Sequence, residues 1–106
     1  MIELPYPPKE LNPNKRLHWA DKNKHKKAYF NSCYLLALGK QEGMKFSIEF
    51  CPPCNRKRDR DNIIASFKAG QDALAKAWGV DDANFEIIYK PIGKPVKDGC
   101  VKINFI

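Results

Sequence analysis

Apolar residues occupy alternate positions of segment 44–51, at Met44, Phe46, Ile48 and Phe50. The intervening positions are polar, and this period of two predicts a β-strand with one face on the core and one face in water. Shorter apolar runs predict three further strands, at residues 2–4, 85–90 and 101–105. Residues 91–99 are rich in glycine and proline, which predicts a hairpin loop between the last two strands.

Two other segments show the three-to-four-residue apolar spacing of an α-helix. The first covers residues 21–38 and is followed by Gly39 as a stop signal. The second covers residues 59–79, and its apolar stripe consists of Ile63, Phe67, Gly70, Leu74 and Trp78. On the same helical wheel Asp61, Lys68 and Asp72 share the face turned away from the core. Lys68 lies about 10 Å along the axis from Asp61, so its ammonium can reach a phosphate held beside the acids.

The order of these elements is strand, long loop, helix, strand, helix, strand, strand. It predicts one α+β domain, residues 1–106, with a small mixed or antiparallel sheet and two helices packed on one of its faces. Residues 9–16 contain the turn-forming run Asn12-Pro13-Asn14 and are predicted to be loop. No structural or functional role follows from the pattern of residues 9–20.

Composition and charge narrow the range of partners. The chain is 43% hydrophobic and 29% charged, which is typical of a soluble globular protein. It has neither a run of about 18 apolar residues nor the opening of a signal peptide, and we expect a cytoplasmic location. The net charge of +7 favours an acidic partner, with nucleic acid ahead of a membrane surface. Because no basic helix carries a broad aromatic face, no membrane partner is expected.

The run Arg56-Lys57-Arg58-Asp59-Arg60-Asp61-Asn62 carries the candidate chemistry. Two carboxylates two residues apart repel one another, and a hard cation between them would relieve that repulsion. The surrounding cations favour a polyanionic partner. A second acidic pair, Asp81-Asp82, follows the second helix. The alternative is that Asp59 only caps the helix and Asp61 sits in its first turn.

Cys51-Pro-Pro-Cys54 has the spacing of half a zinc site or of a redox motif. A zinc site needs two more ligands, and the available ones are isolated along the chain: Cys33, Cys100, His18 and His25. The two prolines favour an extended turn over the start of a redox-active helix. Reduced, structural cysteines are the preferred interpretation, and a small zinc-stabilised interaction protein stays open as an alternative.

The ordered set Asp59-Arg60-Asp61-Asn62, Asp72-Ala73-Leu74 and Asp81-Asp82-Ala83 resembles the RusA family of Holliday junction resolvases from bacteria and their prophages. The likeness covers most of the chain and includes the opening Leu4-Pro5-Tyr6-Pro7-Pro8. It implies a homodimer that resolves four-way DNA junctions by paired nicks, in DNA recombination and repair. It also implies Mg²⁺ as the metal and no small-molecule cofactor.

Residue by residue, the resemblance implies that Asp59, Asp61 and Asp82 are the metal-binding carboxylates. The family also uses a lysine one turn after the second aspartate, where this chain has Ala65. Alignment on Asp72-Ala73-Leu74 transfers that role to Lys68 and implies about one extra helical turn. Phosphate contacts are assigned to basic residues of the run and of the first helix: Arg56, Lys57, Arg58, Arg60, Lys22, Lys24, Lys26 and Lys27.

Two alternatives keep the basic surface but change the activity. A non-catalytic module could bind branched or single-stranded DNA by stacking unpaired bases on Trp19, Tyr29 or Phe30. The preferred interpretation of Trp19 is instead that it anchors its loop to the core. A metal nuclease could also act on flaps or forks, which the sequence does not distinguish from junctions. The lysines of the first helix could equally form an ordinary solvated face.

Overall fold

A computed structural model describes residues 1–106. It contains four strands and three α-helices: β1 (Ile2–Leu4), α1 (Trp19–Ala37), β2 (Lys45–Cys51), α2 (Arg60–Ser66), α3 (Lys68–Trp78), β3 (Glu86–Tyr89) and β4 (Cys100–Phe105). Two short 3-10 turns, Lys9–Leu11 and Asp82–Asn84, complete the elements. The first of these turns lies in a segment predicted to be loop. None of the three α-helices combines the length and the apolar composition that crossing a bilayer requires.

The four strands form one mixed sheet in the order β1-β4-β2-β3, which confirms the predicted α+β class and strand positions. Strand β4 is antiparallel to both of its neighbours, whereas β3 is parallel to β2. Helices α2 and α3 form the crossover between these two parallel strands. The sequence predicts a sheet of this type, but it does not predict which strands are neighbours.

The predicted hairpin between the last two strands is wrong, because β2 lies between β3 and β4. After β3 the chain continues along the edge of β2. The amides of Gly93 and Val96 donate to the carbonyls of Phe50 and Pro52. Residues 91–99 therefore carry the chain past the end of β2 to its other side. Glycine and proline mark a loop correctly, but they do not indicate which strand the loop leads to.

The predicted continuous helix over residues 59–79 is also wrong, because it is interrupted at Phe67. This residue has a ψ angle of −1° and separates α2 from α3, so three helices replace the two predicted. The apolar stripe itself is confirmed: Phe67 and Leu74 are buried in the core, and Trp78 packs against it. Gly70 lies so close to Phe67 that a Cβ there would be 2.4 Å from the ring.

The core fills the space between the helices and one face of the sheet. Alternate residues of β2 and β4 face the helices and are completely buried: Phe46, Ile48, Phe50, Val101 and Ile103. At one end Phe46 contacts three further aromatic rings at centroid distances of 5.1–5.9 Å: Trp78, Phe85 and Phe105. At the other end Phe50 contacts Phe67 at 5.6 Å.

The opposite face of β2 is less exposed than the alternating pattern predicts. Ser47 and Cys51 are only 4% and 3% exposed, and Cys100, which faces Cys51 across the sheet, is 5% exposed. Residues 91–99 cover part of this face, since a Cβ at Gly93 would lie 2.9 Å from the Cys51 sulfur. The prediction of a fully solvated face is wrong at Ser47 and Cys51.

We expect Gly70→Ala to destabilise the protein. Alanine gains about 1 kcal/mol of helix propensity, but overpacking a full core costs about 1–3 kcal/mol and the clash with Phe67 is severe. Denaturant unfolding followed by circular dichroism should show a lower midpoint. Gly43→Ala is the control, because nothing lies within 4 Å of its added Cβ. Equal midpoints for Gly70→Ala and the wild type would contradict the tight contact.

Candidate functional site

Asp59 occupies the N-cap of α2. Its Oδ1 atom accepts a hydrogen bond from the Asp61 amide at 2.9 Å, and its backbone is extended. The capping role that the sequence offered as an alternative is therefore present. It does not exclude a second role, because a carboxylate has a second oxygen and both residues are exposed. The free amides and dipole of the helix start also favour an anion at this position.

The basic loop before α2 borders a cavity of about 630 Å³, which we call the arginine cavity. Its charged lining and part of its polar lining come from the loop, from α2, from the segment after β1 and from the loop before β4: Lys9, Asn12, Arg56, Lys57, Arg58, Asp59, Asn62, Ser66 and Asp98. Arg56, Lys57 and Arg58 therefore line the same cavity as Asp59. Their contact with phosphates stays a prediction.

Arg58 differs from its two neighbours in that its guanidinium holds the loop in shape. It donates to the carbonyls of Cys54 and Arg56 at 2.7 and 2.9 Å. It also lies 3.1 Å from the Cys54 sulfur, and this hydrogen bond lowers the pKa of the thiol. Arg56 and Lys57 are exposed and remain available to a ligand.

Lys68 begins α3 and joins two carboxylates. Its Nζ lies 2.9 Å from Asp72 and 2.8 Å from Asp82, which is fourteen residues away in the chain. The hydrogen bonds to Asp82 and then to Asp72 raise the pKa of the lysine. In return, the ammonium holds the pKa of Asp82 below its usual range.

Asp82 is supported from two sides. The Gln71 side chain approaches the same carboxylate oxygen at 3.4 Å. Asp81, the other member of the acidic pair, accepts from the Ala83 amide at 2.9 Å and so caps the turn Asp82–Asn84. Asp81 therefore caps the turn, whereas Asp82 pairs with Lys68.

The predicted acids are not gathered into one cluster. Asp59 and Asp61 meet at the start of α2, and Asp82 meets Lys68, but no group of three or more His, Cys, Asp or Glu side chains is close enough to hold a metal ion. This also applies to the cysteines: all four are free thiols, with Cys51 buried and Cys54 exposed. The helical wheel placed Asp61 and Lys68 on one face of an unbroken helix. Because the helix is interrupted at Phe67, that prediction has lost its basis.

A second cavity of about 570 Å³ lies between α1 and the α2–α3 junction, and we call it the tryptophan groove. Lys68 and Ala65 both line it, so this lysine opens onto the same space as the position where the resembled family has its lysine. Ser66 lines both this groove and the arginine cavity, so the two are neighbours on the surface.

The aromatic residues considered for base stacking have different environments. Trp19 is 75% exposed, so the interpretation that it anchors its loop to the core is wrong. Tyr29 is buried and donates to the Pro5 carbonyl at 2.6 Å, so it is not available to a base. Phe30 is half-buried and stacks on Tyr34. The sequence places Trp19 two residues before the predicted helix, whereas the structure begins α1 at this residue.

The basic residues of α1 do not act as one patch. Lys22 and Lys26 line the tryptophan groove, while Lys26 and Lys27 border a smaller cavity of about 240 Å³ beside Phe30. Lys24 of α1 and Arg60 of α2 are exposed but line none of these three cavities. Of the four lysines predicted to bind phosphate, two therefore line the tryptophan groove, Lys27 borders the smaller cavity and Lys24 lines neither.

The chain is similar in sequence to a known protein. An uncharacterized protein of Xylella fastidiosa is 33% identical over 93 residues, which is 79% of this chain and 61% of the relative. The chain thus spans about three fifths of the length of that relative. No protein-family model matches the chain.

We expect Lys68→Met to raise the pKa of Asp82 toward the usual range of a carboxyl group, because the lysine is the main cause of its lowering. Carbon-detected NMR titration of the Asp82 carboxyl would measure it. The ion pair stabilises the folded state above the ordinary carboxyl range and is lost as the pH falls through the lowered pKa. Lys76→Met, on the same helix, is the control and should leave the Asp82 titration unchanged.

Proposed function

We propose that the protein is a magnesium-dependent endonuclease that cuts branched DNA, with the four-way junction as its substrate, in recombination and repair. The observation that carries the proposal is the contact between Lys68 and Asp82. The resemblance to the RusA family assigns these two residues to one active site. The contact joins them across fourteen residues of chain. Lys68 lines the tryptophan groove, which shares Ser66 with the basic cavity that Asp59 lines.

The chemistry of the acids fits Mg²⁺, although they form no three-carboxylate cluster. Mg²⁺ prefers oxygen ligands and is commonly held by one or two carboxylates together with water and substrate phosphate oxygens. Asp59 and Asp61 would supply those carboxylates at the start of α2, and Asp82 is assigned by resemblance as the third. When bound, the metal would supply Lewis acidity to the reacting phosphate and lower the pKa of a water ligand.

The residues of the chain would bind and orient the phosphate. The Lys68 side chain is 57% exposed, so its ammonium can contact a phosphate oxygen while Asp72 and Asp82 position it. A positive charge fixed in this way stabilises the negative charge that develops on the oxygens during cleavage. Arg56 and Lys57 would bind the neighbouring backbone phosphates, and this part of the affinity falls as salt rises.

Resolution of a symmetric junction needs two nicks in opposed strands, and a two-fold dimer would supply two equivalent sites. Three leucines near the end of α1 are exposed at 41–68% and give an apolar surface that a second copy could cover: Leu35, Leu36 and Leu38. The dimer is part of this proposal. The activity of a whole protein as long as the Xylella relative is part of the proposal as well.

A second candidate is a module that binds branched or single-stranded DNA without cutting it. Two observations favour it: the positive charge of Lys68 is balanced by two carboxylates, and Trp19 is exposed beside basic residues. Both candidates predict structure-selective DNA binding, and only the nuclease predicts Mg²⁺-dependent cutting. A labelled four-way junction incubated with Mg²⁺ or EDTA, beside linear duplex and flap controls, separates them.

Asp61→Asn should abolish cleavage of the junction and leave binding equal or tighter. The change removes a metal ligand and also a negative charge that repels phosphate. Cleavage is measured with Mg²⁺, and binding is measured by fluorescence anisotropy with EDTA. The control is Asp21→Asn, an exposed carboxylate on α1. Normal cleavage by Asp61→Asn would refute the assignment of this residue to the metal.

Lys68→Ala should slow cleavage by about 10²-fold or more, the usual effect of removing one group that stabilises developing charge. Single-turnover cleavage at saturating protein measures the step directly. Lys76→Ala is the matched control, because it removes an exposed lysine from the same helix without breaking an ion pair. Equal single-turnover rates for the two variants would show that Lys68 has no part in the chemistry.

A further inference from the structure

Trp19 is placed where a ligand, rather than the protein, would cover it. Tryptophan is highly buried on average because its large ring gains much from leaving water. The other tryptophan of the chain follows this rule, since Trp78 packs on the core and donates to the Ala37 carbonyl. Trp19 is instead 75% exposed at the first position of α1.

The start of α1 holds the indole in a defined place. The Nδ1 atom of His18 accepts from the Ala20 amide at 3.2 Å and caps the helix. The His18 ring lies 5.8 Å from the indole at an interplanar angle of 31°. The Trp19 indole is therefore attached to a capped helix and lies beside an aromatic ring. Both features restrict the motion of the indole, so less of that motion is lost when a ligand binds.

The surroundings of Trp19 are suited to a negatively charged ligand with an aromatic part. Lys22 and Lys26 follow it at the three- and seven-residue spacing that places side chains on one face of a helix. All three line the tryptophan groove, whose other wall includes Lys68. No acidic side chain lines this groove. Its volume of about 570 Å³ is in the range of cavities that hold a small-molecule-sized group.

We propose that the tryptophan groove binds an unpaired nucleotide of the DNA, with its base stacked on Trp19 and its flanking phosphates on Lys22 and Lys26. The proposal rests on the proposed function for its substrate, since branched DNA exposes unpaired or unstacked bases at the branch point. The stacking would be tolerant of sequence, because every base has a π-face. Lys68 and the shared Ser66 connect this groove to the candidate catalytic residues, so the bound nucleotide would fix which phosphate reaches them.

Intrinsic fluorescence gives the direct test, carried out with EDTA so that no cleavage occurs. Titration with an oligonucleotide of twelve thymidines should quench the emission of the wild type, because the base contacts the exposed indole. In Trp19→Phe only Trp78 remains to report, and the same titration should leave the emission unchanged. Equal quenching in both proteins would place the contact away from Trp19 and overturn the proposal.

Affinity tests the contribution of the ring. We expect Trp19→Ala to bind a junction with an unpaired thymine at the branch about 5- to 150-fold more weakly, since one stacked base contributes about 1–3 kcal/mol. Affinity for fully paired linear duplex should be unchanged, and Trp19→Phe should recover most of the loss. The control is Ile106→Ala, because Ile106 is a large apolar residue that is 69% exposed and does not line the groove. An equal loss with Ile106→Ala, or an equal loss for duplex, would overturn the proposal.

The charge contribution is measured with Lys26→Gln against Lys40→Gln, an exposed lysine beyond the end of α1. Only the former should reduce the salt dependence of oligonucleotide binding, by about one unit of slope.

A poly-glutamate peptide that quenches Trp19 as strongly as the oligonucleotide would assign the groove to an acidic protein segment instead. Quenching at Trp19 without any Mg²⁺-dependent cutting would refute the nuclease but support nucleotide binding in the groove. Cutting that Trp19→Ala does not change would support the nuclease but refute nucleotide binding in the groove.

Discussion

The burial of Phe67 is the interaction on which the arrangement of the site depends. Its ring contacts Phe50 of the sheet at 5.6 Å and Tyr29 of α1 at 6.3 Å. To reach that position the backbone leaves the helical path, and a new helix begins at Lys68. Gly70 supplies the space, because any larger residue would meet the ring. Burial of this one ring thus joins the sheet to α1 and also sets the start of α3, where Lys68 lies.

The electrostatic consequence of this break is a paired lysine in a strongly basic protein. With a net charge of +7, an additional exposed ammonium would be repelled by its neighbours. Asp72 and Asp82 offset that repulsion and orient the group. The same carboxylates make Lys68 a positioned charge, which is useful in catalysis because it does not need to reorganise when charge develops on a substrate. Arg58 is likewise held by hydrogen bonds within the protein, and its guanidinium shapes the basic loop. Arg56 and Lys57 stay exposed.

The topology places two different surfaces side by side. The loop after β2 forms the arginine cavity, and the packing of α1 against the α2–α3 junction forms the tryptophan groove. Ser66 at the end of α2 belongs to both. A nucleic-acid strand could therefore contact cations in one cavity and an aromatic ring in the other without leaving the surface. Under the proposed function, the basic loop and the basic helix, which are far apart in sequence, would therefore contact the same ligand.

The sequence by itself determined the α+β class, the position of every strand and the apolar stripe of residues 59–79, because these follow from local periodicity and from turn-forming residues. It also brought out the basic run around Asp59 and Asp61, whose pattern is local. Tertiary packing decided what local pattern does not encode. It placed β2 between β3 and β4, interrupted the helix at Phe67 and left Trp19 in solvent. It also brought Lys68 to Asp82. Each of these outcomes depends on contacts between distant residues, so it is fixed only when the layers of the fold pack against one another.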